Sequence, residues 1–146
     1  MSTRWSPRET TTHQDHVIAH VIDATVLGYF ILNEALHLLL DIGFVWSIYV
    51  DGEMALLPHP VRTGELETDE QTRIEIKKDV DQLLSPPQEA ERLLHMIRVP
   101  VECVLKEVSL YEQDDERRIV LTGDAGSLVV ETSLTTAEIK VYGKEV

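Results

Sequence analysis

The sequence predicts an α+β fold: a long N-terminal helix, a β-hairpin, two further helices and a four-stranded antiparallel meander, with the helices packed on one face of the sheet. Three observations carry this expectation. Apolar residues between about 12 and 42 recur at helical spacing, an Asp-Gly pair at 51–52 separates two apolar runs, and the last third of the chain is a series of Val-, Ile-, Leu- and Thr-rich runs parted by short polar turns. At 146 residues the chain has the size of one ordinary domain, long enough to bury a core without cross-links. Residues 1–11 contain Trp5 and Pro7 but no apolar period, so they are expected to form a flexible arm ahead of a single domain over 12–146.

The helix start is placed at Thr12, whose hydroxyl can cap a free backbone N–H, with Asp15 in the first turn. Val17, Ile18, Val21, Ile22, Ala35, Leu36, Leu39 and Leu40 keep the period to Ile42, and Gly43 supplies the stop. The period then changes. Phe44, Trp46, Ile48 and Val50 alternate with Val45, Ser47 and Tyr49 ahead of Asp51-Gly52 and the apolar run 54–57, the pattern of a hairpin whose turn needs positive φ. Pro58 and Pro60 end its second strand.

Thr68 with Gln71 forms a capping-box pattern before Ile76, Val80, Leu83 and Leu84, which predicts the second helix. Ser85-Pro86-Pro87-Gln88 reads as the start of a third, carrying Leu93, Leu94 and Ile97 and stopping before Pro100. Strands are predicted over 101–112, 117–122, 127–133 and 137–142. Their connections are so short that neighbours must pair antiparallel.

The charge pattern bounds the function. The net charge of −13 repels phosphate backbones and anionic lipid, which argues against nucleic-acid and membrane partners and suits a basic protein partner. One cysteine, Cys103, excludes an intrachain disulfide, and residues 1–16 lack an apolar signal segment, so a reducing cytoplasmic setting is expected. Cys103 sits among Val101, Val104 and Leu105 and is expected to be a buried, inert thiol.

Between Arg8 and Arg62 there is no lysine or arginine, yet seven carboxylates and five histidines occur there. On a helical wheel His13, His16, His20, Asp23, Glu34, His37 and Asp41 fall within an arc of roughly 120°. Histidines at i, i+3 and i+4 and the Glu34-x-x-His37 spacing are those that let adjacent turns meet one divalent transition metal, so this stripe is a candidate metal site. Its two halves are separated by ~29 Å of straight helix, beyond the reach of one ion in one chain.

Leu27, Gly28 and Phe30 interrupt the polar stripe at its middle. They predict an antiparallel helix crossing in a homodimer, with glycine permitting close approach. Trp46, Tyr49 and His59 are the candidate lining of a pocket between sheet and helix. No nucleophile elbow, Cys-x-x-Cys, phosphate loop or dinucleotide fingerprint occurs. The expectation is therefore a non-enzymatic, acidic protein-interaction module that self-associates through its long helix. The alternative is a metal-binding protein or metal-dependent enzyme built on the stripe.

Overall fold

Among the described residues of the expected long helix, only the first ten are helical. The computed structural model describes residues 5–32, 35–49, 68–85, 92–136 and 138–145. In chain order these form β1 (Ser6–Arg8), α1 (Thr12–Val21), β2 (Thr25–Leu32), β3 (Ala35–Leu40), β4 (Val45–Tyr49), α2 (Glu70–Leu84), β5 (Ile97–Gln113), β6 (Glu116–Gly123), β7 (Gly126–Ser133) and β8 (Ile139–Glu145).

Helix α1 begins with a complete capping box. Thr11 Oγ1 accepts from the Gln14 amide at 3.1 Å, and Gln14 Oε1 accepts from the Thr11 amide at 3.0 Å. The helix ends because Ile22 is extended and Asp23 takes a left-handed φ of 74°, a conformation that Asp adopts more readily than most residues. The new direction is held by β5. The Asp23 amide donates to the Leu105 carbonyl at 2.7 Å, and the Leu105 amide donates to the Ala24 carbonyl at 2.9 Å.

Two strands stand where the rest of the long helix was expected, and β3 shows why its sequence misleads. All six residues of β3, Ala-Leu-His-Leu-Leu-Leu, are buried. A strand covered on both faces has no polar side to alternate with, so its apolar residues run together and also satisfy a helical period.

The strands run in the order β4-β3-β2-β5-β6-β7-β8, with β1 also on β5, and every pairing is antiparallel. The 17-residue β5 belongs to two sheets. Its first half pairs with β2, through Thr25↔Val104 and Tyr29↔Ile97. From Leu105 onward it pairs with β6, through Val108↔Leu121 and Gln113↔Glu116. The register shifts between Leu105 and Glu107, a bulge at the passage from one sheet to the other.

The two sheets and α1 enclose one core, in which Val17 and Val21 meet Leu36, Leu38, Trp46, Leu105, Ile119, Leu121 and Leu128. A second core lies on the opposite face of the β2-β3-β4 sheet, where Phe30, Leu39 and Val45 pack with Ile76, Val80, Leu83 and Met96. Helix α2 covers that face. Its N-cap is Asp69, whose carboxylate accepts from the Thr72 amide at 3.0 Å and the Thr72 hydroxyl at 2.6 Å.

The expected architecture of helices on one face of a four-stranded sheet is therefore replaced by a larger bent sheet with one helix on each side of its N-terminal half. The third helix does not form over 92–96, and Ile97 opens β5. Asp79, fully buried on α2, accepts the amides of Leu94, His95 and Met96 at 2.8, 2.6 and 2.8 Å, which takes those donors away from a helix. The first strand of the expected hairpin is β4, while residues 50–57, including Asp51-Gly52, lie outside the described residues. The four C-terminal runs are β5 to β8, paired consecutively. No described helix is long and apolar enough to cross a membrane.

Candidate functional site

Strand β2 changes which of its residues reach the surface. Phe30 is buried in the core beneath α2 and Leu27 and Leu32 pack against it, whereas Tyr29 packs toward the inter-sheet core. By the two-residue period of a strand, Ile31 shares the face of Tyr29. Tyr29 is directly opposite Ile97 on β5, so these residues also share a face. Behind them stand Leu38 and Trp46 in one row and Leu36 and Ile48 in the next, all buried.

At the end of that face the core is open. Ile31 is 53% exposed and Ile97 54%, side by side with half-buried Tyr29. The exposure follows from topology. Strand β6 begins to pair with β5 only at Leu105, so the C-terminal sheet stops short of the Ile97 end of β5. Burial raises the Tyr29 phenol above its ordinary pKa, as fits a ring lying on an apolar floor.

The protein as a whole is acidic, with a net charge of −13, although the residue after Ile97, Arg98, is an exposed cation. Among the described residues, exposed carboxylates outnumber exposed lysines and arginines. Several cations are already neutralised. Lys106 Nζ lies 2.7 Å from Asp23, Arg118 2.7 Å from Glu131, and Arg8 and Arg117 3.7 and 3.9 Å from Glu112.

A second constellation occupies the outer face of the C-terminal sheet. The Arg118 guanidinium lies 4.2 Å from the centroid of the Trp5 ring and donates to Glu131 Oε1 at 2.7 Å, and the Tyr142 hydroxyl donates to the same oxygen at 2.6 Å. Burial by itself would raise the Glu131 carboxyl, but the bonds from Tyr142 and Arg118 outweigh it and hold the group below the usual carboxylate range. Arg118 and Tyr142 both serve Glu131, so the cluster is a fastening, in which Arg118 Nε is left buried without a hydrogen-bond partner.

The proposed metal stripe is not one edge, because the chain leaves the helix after Val21. His16 and His20 lie exposed on α1, Asp23 sits in the following turn paired with Lys106, and Asp41 Oδ1 accepts from the Thr25 amide at 3.1 Å. His37 is in β3, 6% exposed, with Nδ1 2.6 Å from Ser47 Oγ, Nε2 3.3 Å from the Leu32 carbonyl and its ring stacked on Phe30 at 4.8 Å. Burial lowers its pKa, partly opposed by the Leu32 carbonyl. His13 lies on α1, but its side chain is outside the description; Glu34 and His59 are outside the described residues altogether. Among the described residues, no three His, Cys, Asp or Glu side chains come together as a metal-ligand group.

The proposed helix crossing at Leu27, Gly28 and Phe30 is likewise overturned by geometry. Phe30 is 3% exposed, and a Cβ on Gly28 would stand 2.9 Å from Leu83 Cδ1 and 3.0 Å from the Ile97 carbonyl oxygen. These residues receive α2 of their own chain. Of the proposed pocket lining, Trp46 is fully buried, and the Tyr49 side chain and His59 fall outside the description. Cys103 is buried, as expected, with Sγ 3.4 Å from the Leu121 carbonyl, and burial raises its thiol pKa.

Sequence reasoning missed Ile31 and Ile97 as surface residues and Asp79 as a clamp. The signal for Ile31 was the alternation of Tyr29 and Ile31 with Phe30 and Leu32, legible only once the segment is taken as a strand. Comparisons with protein families, curated proteins and solved structures found no match.

Proposed function

We propose that this chain is a non-enzymatic protein-interaction module that docks a cationic, amphipathic segment of a partner protein across the rim formed by Tyr29, Ile31 and Ile97. The observation that carries this reading is the pair of half-exposed isoleucines at the open end of an inner sheet face, on a protein of net charge −13. Covering the exposed half of each isoleucine is worth about 1 kcal/mol. The negative field adds attraction for lysine and arginine and speeds encounter.

A synthetic amphipathic peptide of lysine and leucine, with its glutamate–leucine counterpart as control, tests the reading by calorimetry at low and high salt. The basic peptide is expected to bind and to weaken with salt. Ile31→Asp and Ile97→Asp each add negative charge, so on electrostatics alone they would tighten binding. Loss of the apolar contact predicts instead a weakening of about fivefold for each. Binding that is unchanged or tighter in both variants would refute the rim as the contact, and equal binding of the acidic peptide would refute the charge argument.

A further inference from the structure

Strand β1 is attached to the molecule differently from every other strand. It pairs with β5 at only three positions, Ser6↔Glu112, Pro7↔Tyr111 and Arg8↔Leu110, and its middle residue has no N–H to donate. Side-chain anchors stand at the two ends of the segment, among them Trp5 under the Arg118 guanidinium and Arg8 3.7 Å from Glu112. Beside this short pairing, where Glu9 and Thr10 run on past it, lies an open hollow of about 470 Å³ lined by Pro7, Arg8, Glu9 and Thr10 and by Val108, Ser109, Leu110 and Tyr111.

The next element does not depend on the strap. Helix α1 starts from its own capping box at Thr11 and Gln14, and the Thr10 hydroxyl bonds Asp15. Glu9 is thus a hinge between a helix that is complete in itself and a strap paired at only three positions beside an open hollow.

From this geometry we infer that β1 is an exchangeable strand, and that the partner is a second copy of this chain whose residues 5–8 lie on β5 in place of the resident strap. The groove is complementary to this segment by construction, and a short hinge is the usual seat of such exchange. The closed form is favoured at low concentration, because a tethered strand competes at an effective concentration in the millimolar range. Each copy carries a charge of −13, so exchange increases with salt as well as with protein concentration.

Disulfide trapping between two differently tagged chains tests the inference, both in a Cys103→Ala background. One chain carries Pro7→Cys and the other Tyr111→Cys. Opposed residues of an antiparallel pair stand within disulfide reach, so the mixed disulfide forms when the strap of the first lies on β5 of the second. The mixed species is expected to rise with concentration and salt. Trp5→Ala in the Tyr111→Cys chain should raise the yield severalfold by loosening the resident strap, whereas in the Pro7→Cys chain it removes the same contact from the closed and the exchanged form and should leave the yield nearly unchanged. No mixed species at any concentration, or a yield indifferent to which chain carries Trp5→Ala, would overturn the exchange. A single chain bearing both cysteines must close on itself; failure to do so would overturn the β1–β5 pairing from which the inference starts.

Discussion

Replacing Asp79 should be among the most damaging single substitutions in the protein, and the graded effect of two replacements tests why. The carboxylate is fully buried; Oδ1 accepts from the Leu94 amide and Oδ2 from the His95 and Met96 amides. Hydrogen bonds to a charged acceptor contribute about 1.5–3 kcal/mol each. Asn has one acceptor oxygen, which can keep the His95 and Met96 amides, but its NH₂ would face the Leu94 amide donor to donor. The expected cost of Asp79→Asn is therefore ~3 kcal/mol, one charged bond lost and two weakened. Ala loses all three and leaves Met96 without a support for its place beneath α2, for ~4–5 kcal/mol. Urea unfolding measures both, provided the slope with denaturant stays constant. Hydrogen exchange at the amides of 94–96 supplies a local readout, expected to accelerate in both variants. An Asn variant within ~1 kcal/mol of wild type, or Asn and Ala variants of equal stability, would refute the clamp as the element holding this segment.

His37 makes stability depend on pH with a definite sign. Its folded pKa is lowered, so as pH falls below about 6.5 the unfolded chain takes up the proton first; stability is full above that value and falls as pH drops toward the folded pKa. His37→Gln should flatten the dependence of the urea midpoint between about pH 7 and pH 5, and an undiminished slope would reassign it to another group. Gly28→Ala should cost about 1–3 kcal/mol in thermal or urea unfolding through overpacking. Leu83→Ala should not fully rescue it, because the second obstacle is the backbone oxygen of Ile97.

The C-terminal half was legible because its strands obey the alternation of a half-buried sheet and are separated by turn residues: β6 and β7 alternate buried and half-buried positions over most of their length. Helix α2 was legible from the helical spacing of Ile76, Val80 and Leu83, although its cap is Asp69 with Thr72 and not the expected Thr68 with Gln71. The segment after Val21 failed where two physical rules coincide. Being covered on both faces erases alternation in β3, and Asp23 ends α1 without a glycine or proline to announce it. Once the helix was overextended, His16, His20 and His37 were joined on an edge that does not exist, although the first two belong to α1 and the third to a core strand. Leu93 and Leu94 misled differently. Their apolar spacing suits a helix, but tertiary bonds from Asp79 claim the amides.

The dual membership of β5 makes the molecule indivisible. A cut that frees either sheet strips half of this strand's ladder, so complementary fragments divided near residue 100 have no independently stable half and are expected to order only on recombination. Its seam with β2 joins residues such as Thr25 and Val104, so the loop closed by the intervening chain must be brought together before that ladder stabilises anything. The hairpins β5-β6-β7-β8 close over short turns and are expected to assemble early, with the union of the two halves the slower step in refolding.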